Sequence, residues 1–290
     1  MWIAFTVLAA FMQAWRNAFQ SQLSKDVNVA GVTLARFIWA GPIALVYLIG
    51  LYCWQPVSAP QFNGNLLMFV VGASLMQILA TGLMVKLFKM KNFAVGAGLA
   101  KSEALVAAIL GMLFFGTQLD LIGWIGVVIG GVAIMLLSTV QGIKQLSLKT
   151  VLLGLACGGA FALTSLWVRE ASLQLTLPYT HSAAWVLFAV ISLQTLILTT
   201  YLWFYDKLTL QALFQRPKLT LLISVCSCIG SIGWFTAMSL QAVPYVKTLG
   251  QIEVFFMLLI SHFWLKQQVK INDMLGLILI AIAAVLVMWN

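Results

Sequence analysis

Two glutamates carry the strongest chemical signal in the chain. Glu103 and Glu253 stand 150 residues apart, each inside a run of apolar residues. A charged group at the centre of a membrane helix costs about 2.5–3.5 kcal/mol even on the lenient insertion scale, so each must be paired, protonated or wetted. Two readings stay open. The glutamates form a central pair whose carboxyls exchange protons as a site opens, or each is locked to Arg16, Arg36 or a lysine and holds helices together.

The other ionisable residues inside apolar runs are Arg16, Arg36, Lys101 and Lys247, with His262 nearer a helix end. Lys101 and Glu103 are two apart, so on a helix they point about 200° from each other and each needs a partner elsewhere. Lys247 follows Pro244 by less than a turn, near enough to the surface to snorkel, and suits a substrate carboxylate. Arg36 reads as structural, orienting a carboxylate. Gln251 and Trp234, the latter flanked by Gly230, Gly233 and Thr236, are candidates to line a cavity. Together Glu103, Glu253, Lys101, Lys247, Arg36, Gln251 and Trp234 form the candidate substrate- or ion-binding set. Arg16, Asn17 and Gln77 are candidate structural or gating residues, and Gln13 and Gln194 suit bridging between helices. An isolated His181 after Pro178 reads as capped or solvated.

Several chemistries lack their signatures. No H-E-x-x-H, G-x-S-x-G, G-K-S or G-K-T and no Cys/His metal cluster occurs. Neither a cofactor, a metal nor an enzymatic activity is expected. Cys53, Cys157, Cys226 and Cys228 all lie in or beside apolar runs, where a thiol acts as a small buried hydrophobe.

The elements that position these residues follow from composition. The 290 residues are 62% hydrophobic and 8% charged, with a mean hydropathy of +1.03. That excess of apolar surface needs lipid as its solvent, and long runs without alternation demand helices rather than a barrel. The net charge of +9 is spread between the runs rather than clustered on a face, which argues against nucleic acid. Apolar runs predict ten spans, at 2–23, 29–53, 66–88, 93–115, 119–140, 151–171, 181–205, 218–241, 244–265 and 272–289. Residues 1–23 lack a basic start and a cleavage site, so they read as a retained first span rather than a leader.

Lysines and arginines at 25, 86, 89, 91, 144, 149, 207, 216, 218, 266 and 270 fall in odd-numbered loops. The positive-inside rule makes those loops cytoplasmic and places both termini outside. Even loops carry little beyond Arg169. Trp54, Trp124, Trp203, Tyr205, Trp264 and Trp289 suit interfacial anchors, whereas Trp15, Trp39, Trp167 and Trp185 lie deeper.

The two glutamates belong to an internal repeat. FAVGAGLAKSEALVAAILGMLFFG, from Phe93, aligns with VPYVKTLGQIEVFFMLLISHFWLK, from Val243, and each is followed by a glycine-bearing apolar helix at Gly123 or Gly276. The halves are 1–141 and 148–290. Five spans per half invert the second copy in the membrane, the plan of many secondary transporters. Gly126 and Gly130 form a G-x-x-x-G that suits close contact with the tenth span or another protomer.

These residues resemble the drug/metabolite transporter superfamily, specifically EamA-type ten-span carriers, over nearly the whole chain. The likeness rests on Arg36-Phe37, LAKSEAL, LGQIEVF and the LFFG turn. Gly116-Thr117 and Lys266-Gln267 depart from the family's Gly-Glu, and 54–63 lacks its basic residues. The resemblance implies export or exchange of small metabolites. The expected function is therefore a secondary carrier of small polar or zwitterionic metabolites such as amino acids, with protons as a possible coupling ion. It would sit in the cell membrane, a bacterial inner membrane, as a monomer or homodimer. The alternatives are a membrane enzyme acting on lipid-linked substrates and a scaffold subunit.

Overall fold

Within a bilayer each backbone N–H and C=O must find its partner inside the protein, and apolar runs free of proline do so by forming helices. The computed structural model describes residues 1–89, 102–139 and 148–263, with the pairs 278–279, 282–283 and 285–286. Among these residues the regular structure is helical throughout. The elements are α1 (Trp2–Leu23), α2 (Val29–Ala35), α3 (Ala40–Trp54), α4 (Gly64–Lys89), α5 (Glu103–Phe115) and α6 (Leu121–Thr139). They continue with α7 (Leu148–Leu173), α8 (Tyr179–Tyr205), α9 (Lys207–Gln215), α10 (Pro217–Leu240), α11 (Val243–Leu249), a 3-10 turn (Gly250–Ile252) and α12 (Glu253–Phe263).

Among the described residues, six helical stretches are long and apolar enough to cross a membrane: Val29–Trp54, Gly64–Lys89, Leu148–Leu173, Tyr179–Tyr205, Pro217–Leu240 and Val243–Ile260. The distribution of side chains supports the same environment. Val46, Leu113 and Leu196 are 64–70% exposed on the outside, while Arg16, Asn17, Gln20, Gln194 and Glu253 are buried. A surface this apolar around an interior this polar suits lipid and not water. The chain is a polytopic, largely α-helical membrane protein.

Two helix pairs form the framework: α1 lies along α10, and α4 along α7. Small residues bring them together. A Cβ at Gly233 would stand 2.7 Å from the Phe5 carbonyl oxygen, and one at Gly72 the same distance from the Trp167 ring. Around this framework α5 packs on α7 and α12 packs on α1.

The second apolar run reads as one helix and folds as two. α2 stops at Ala35 and α3 starts at Ala40, with a turn at 36–39 between them. Ser224 on α10 mends the break: its hydroxyl donates to the Ala35 carbonyl at 2.7 Å and accepts from the Trp39 N–H at 3.2 Å. Thr195 on α8 donates to the Phe37 carbonyl at 3.2 Å. Interrupted helices survive at membrane depth where neighbours satisfy the freed groups in this way. Trp39 is 41% exposed at this turn.

Three further expectations are corrected by packing. Arg169 is not a loop residue but lies in α7, where its Nη1 donates to the Met238 and Gln241 carbonyls at 2.6 and 2.7 Å. It thereby caps the end of α10, where a cation also suits the helix dipole. His181 is fully buried rather than solvated, with Nε2 3.0 Å from the Gln55 carbonyl and Tyr52 edge-on at 5.2 Å. The stretch after Tyr205 contains α9, because Asp206 caps it through the Thr209 N–H. No disulfide joins the four cysteines, of which Cys157 and Cys228 are buried and Cys53 is exposed.

Candidate functional site

Both glutamates sit in the first turn of a helix, Glu103 in α5 and Glu253 in α12. α12 continues directly from the 3-10 turn, where the Glu253 N–H bonds the Gln251 and Gly250 carbonyls. The neighbours of the two glutamates differ.

Glu253 is fully buried. Gln13 Nε2 donates to one carboxylate oxygen at 2.5 Å and Asn17 Nδ2 to the other at 2.7 Å, both from α1. Each amide is oriented by a further donor. Arg16 Nη2 donates to Asn17 Oδ1 at 2.8 Å, and the Trp234 indole N–H donates to Gln13 Oε1 at 3.0 Å. With their carbonyls engaged, both amides present N–H groups to the carboxylate.

Glu103 pairs with Lys247 Nζ at 2.8 Å, the two side chains being 11% and 10% exposed. Ser165 of α7 donates to the same oxygen at 3.0 Å. Lys247 also lies 4.1 Å over the centre of the Trp234 ring, a cation–π contact. Lys247 is thus enclosed between an anion and an aromatic face, which corrects the expectation that it snorkels to the surface. The two glutamates are joined through one continuous set of contacts that runs Glu103, Lys247, Trp234, Gln13, Glu253, then Asn17 and Arg16.

This set borders a cavity. Gln13, Arg36, Gln77, Glu103, Trp234 and Lys247 supply its polar wall, with Phe161 and Met84 among its apolar lining. Its free volume of about 30 Å³ admits about one or two water-sized groups. A metabolite needs several hundred cubic ångströms. In this conformation the cavity is too small to hold one.

The remaining candidates have definite places. Arg36 donates to Ser227 Oγ at 3.0 Å and Thr81 Oγ1 at 2.7 Å, so it meets hydroxyls rather than the expected carboxylate. Gln77 Oε1 accepts from Gln194 Nε2 at 2.7 Å. Gln251 is buried in the 3-10 turn. Lys101 and the His262 side chain lie outside the described residues, as does most of the tenth span. Two of the α6 glycines pack against the ninth apolar run. Gly123 faces Tyr245 and Gly130 faces Gln251.

Ser165, Thr81 and Ser227 have no counterpart among the sequence candidates. A lone hydroxyl in an apolar helix bears no charge and is common as a bond to its own backbone, so only the helix it faces marks it out. Among the described residues no group of three His, Cys, Asp or Glu is placed to hold a metal.

No protein-family model matches the chain, and no curated protein matches it. A solved structure described as "Crystal structure of protein" superposes with a TM-score of 0.72, covering 98% of this chain and 98% of its own. At 15% identity that likeness is one of fold.

Proposed function

We propose that the chain is a secondary carrier, not an enzyme, that moves small polar or zwitterionic organic metabolites such as amino acids by alternating access. The observation that carries this reading is the small polar cavity with its Glu103–Lys247 pair and Trp234 face. A zwitterion presents one anion and one cation, and can take the place of each partner in that pair. Both parts of the chain enclose it: Gln13, Gln77 and Glu103 from one, Phe161, Trp234 and Lys247 from the other.

The packing supports a ten-span plan of two inverted halves, 1–141 and 148–290, on the pattern of the drug/metabolite transporter superfamily and its EamA-type carriers. In such a plan the first and sixth spans exchange roles, as do the third and eighth. The pairing of α1 with α10 then mirrors that of α7 with α4, and α12 on α1 mirrors α5 on α7. Two copies related this way can expose a shared site to each side in turn. The lysine-rich loops would face the cytoplasm of a bacterial inner membrane, with both termini outside, whether the carrier is a monomer or a homodimer. A carboxyl at the site gives protons a route into the cycle.

Counterflow of labelled amino acids and other zwitterions into proteoliposomes tests the reading. Saturable exchange for at least one class is expected, and none across a broad panel, with folded protein, would overturn it.

A further inference from the structure

Gln251 is the polar side chain of the site that the protein leaves unused. It is 2% exposed, and among the described residues neither its carbonyl oxygen nor its amide nitrogen has a hydrogen-bond partner. The amide lies against α6, where a Cβ on Gly130 would stand 2.5 Å from Oε1. It also lines a small recess of about 10 Å³, shared with Gln13, Glu103, Trp234 and Lys247. Each of those four residues has a partner, Gln13 in Glu253 and Trp234, and Glu103 in Lys247. Gln251 takes no part, although it sits within the same lining.

Leaving a buried amide unpaired is unfavourable, and replacing it by an apolar group of the same shape removes the penalty. A glutamine whose task was to hold helices together would be bonded to one of them.

We infer that the Gln251 amide is a substrate contact, and that it selects zwitterions that also carry a carboxamide. This rests on the carrier reading of the cavity. A primary amide offers one acceptor and two donors, so another carboxamide pairs with it through two antiparallel hydrogen bonds. An apolar side chain leaves both of its atoms unpaired. A carboxylate can accept from the Nε2 group but opposes Oε1 with a second acceptor. The charged ends of the same molecule fall to Glu103 and Lys247, and the neutral group to Gln251.

Full-length protein, purified and folded, is titrated with L-glutamine, L-methionine and L-glutamate while the thermal midpoint is followed, since a ligand of the folded state raises it with occupancy. Glutamine is expected to act at a concentration at least about tenfold below that of its near-isostere methionine. Gln251→Met should bring the two within about twofold. The unliganded midpoint of that variant should match or exceed the wild type, because it loses two unpaired buried atoms. A structural glutamine would instead lower it. Equal action of glutamine and methionine on the wild type overturns the assignment, as does a preference that survives Gln251→Met or Gln251→Leu. If none of the three acts while other zwitterions show counterflow, the assignment fails and the carrier reading stands. Absence of counterflow for every zwitterion removes the carrier reading itself.

Discussion

Glu103 and Glu253 are the same residue type 150 positions apart, each inside an apolar run, and the protein treats them differently. Both begin a helix and both accept bonds from the helix alongside, Glu103 from Ser165 and Glu253 from Gln13 and Asn17. Glu253 has both oxygens taken by amides that are themselves held by Arg16 and Trp234. Glu103 keeps its side chain 11% exposed and takes Lys247, on a flexible stem, as its ionic partner. An amide fixed at its far end cannot release its acceptor without breaking two bonds. A lysine can swing to another anion. Under the carrier reading, Glu103 is the exchangeable member and Glu253 the anchored one.

The largest effect should come from removing the anchor. Glu253→Ala strands two amide donors in the interior, at about 1–3 kcal/mol apiece, so a loss on the order of 3 kcal/mol is expected in detergent unfolding. Glu253→Gln supplies only one acceptor for two donors and should recover no more than about half. Wild-type stability in Glu253→Ala, with transport lost, would reverse the assignment of roles.

The exchangeable site should separate stability from function. Glu103→Leu leaves the Lys247 charge enclosed, and Lys247→Met leaves the Glu103 carboxylate beside Ser165 alone. Each should cost about 1–2 kcal/mol after allowance for partial exposure. The double variant Glu103→Leu/Lys247→Met removes both charges together and should unfold within about 1 kcal/mol of wild type, giving a coupling of about 1–3 kcal/mol. Its counterflow of zwitterions should be abolished. Additive stability losses, or retained counterflow in the double variant, would break the contrast drawn between the two glutamates.

Much of this architecture is legible in the sequence, because helices in lipid are specified locally. The first apolar run falls on α1 at Trp2–Leu23, and bounded apolar runs place α4, α8 and α10 within a few residues. What escapes is whatever depends on a partner far away in the chain. The break at 36–39 is invisible without Ser224, 188 residues beyond Arg36, which mends it. Lys247 looks superficial because Pro244 starts its helix close by, yet Glu103 and Trp234 draw it inward. Arg169 reads as a loop charge until the carbonyls at the end of α10 are placed beside it. α9 escapes for another reason: it is a single polar-capped stretch of 9 residues, too short for an apolar pattern to register. For the site, residue type found the charged members, whereas the amide and hydroxyl contacts that distinguish Glu103 from Glu253 follow only from packing.

The smallest expected effect uses a third carboxylate as a control for burial. Asp206, between α8 and α9, accepts from the Thr209 hydroxyl at 2.7 Å, the Thr209 N–H at 3.1 Å and Asn28 Nδ2 at 3.1 Å. Like Glu253 it is held by several donors, but it stands in water. These bonds, the Thr209 hydroxyl foremost, hold its carboxyl below the usual aspartate range. A group whose folded pKa is lowered contributes stability above its unfolded value and loses it as pH falls through the folded one. The wild type should therefore lose a small part of its thermal midpoint as pH drops below the ordinary aspartate range. Asp206→Asn should lack that component while matching the wild type's response elsewhere. Were Asp206→Asn to destabilise at neutral pH as much as Glu253→Ala, burial would not be what separates these carboxylates, and the contrast between Glu253 and Glu103 would lose its physical basis.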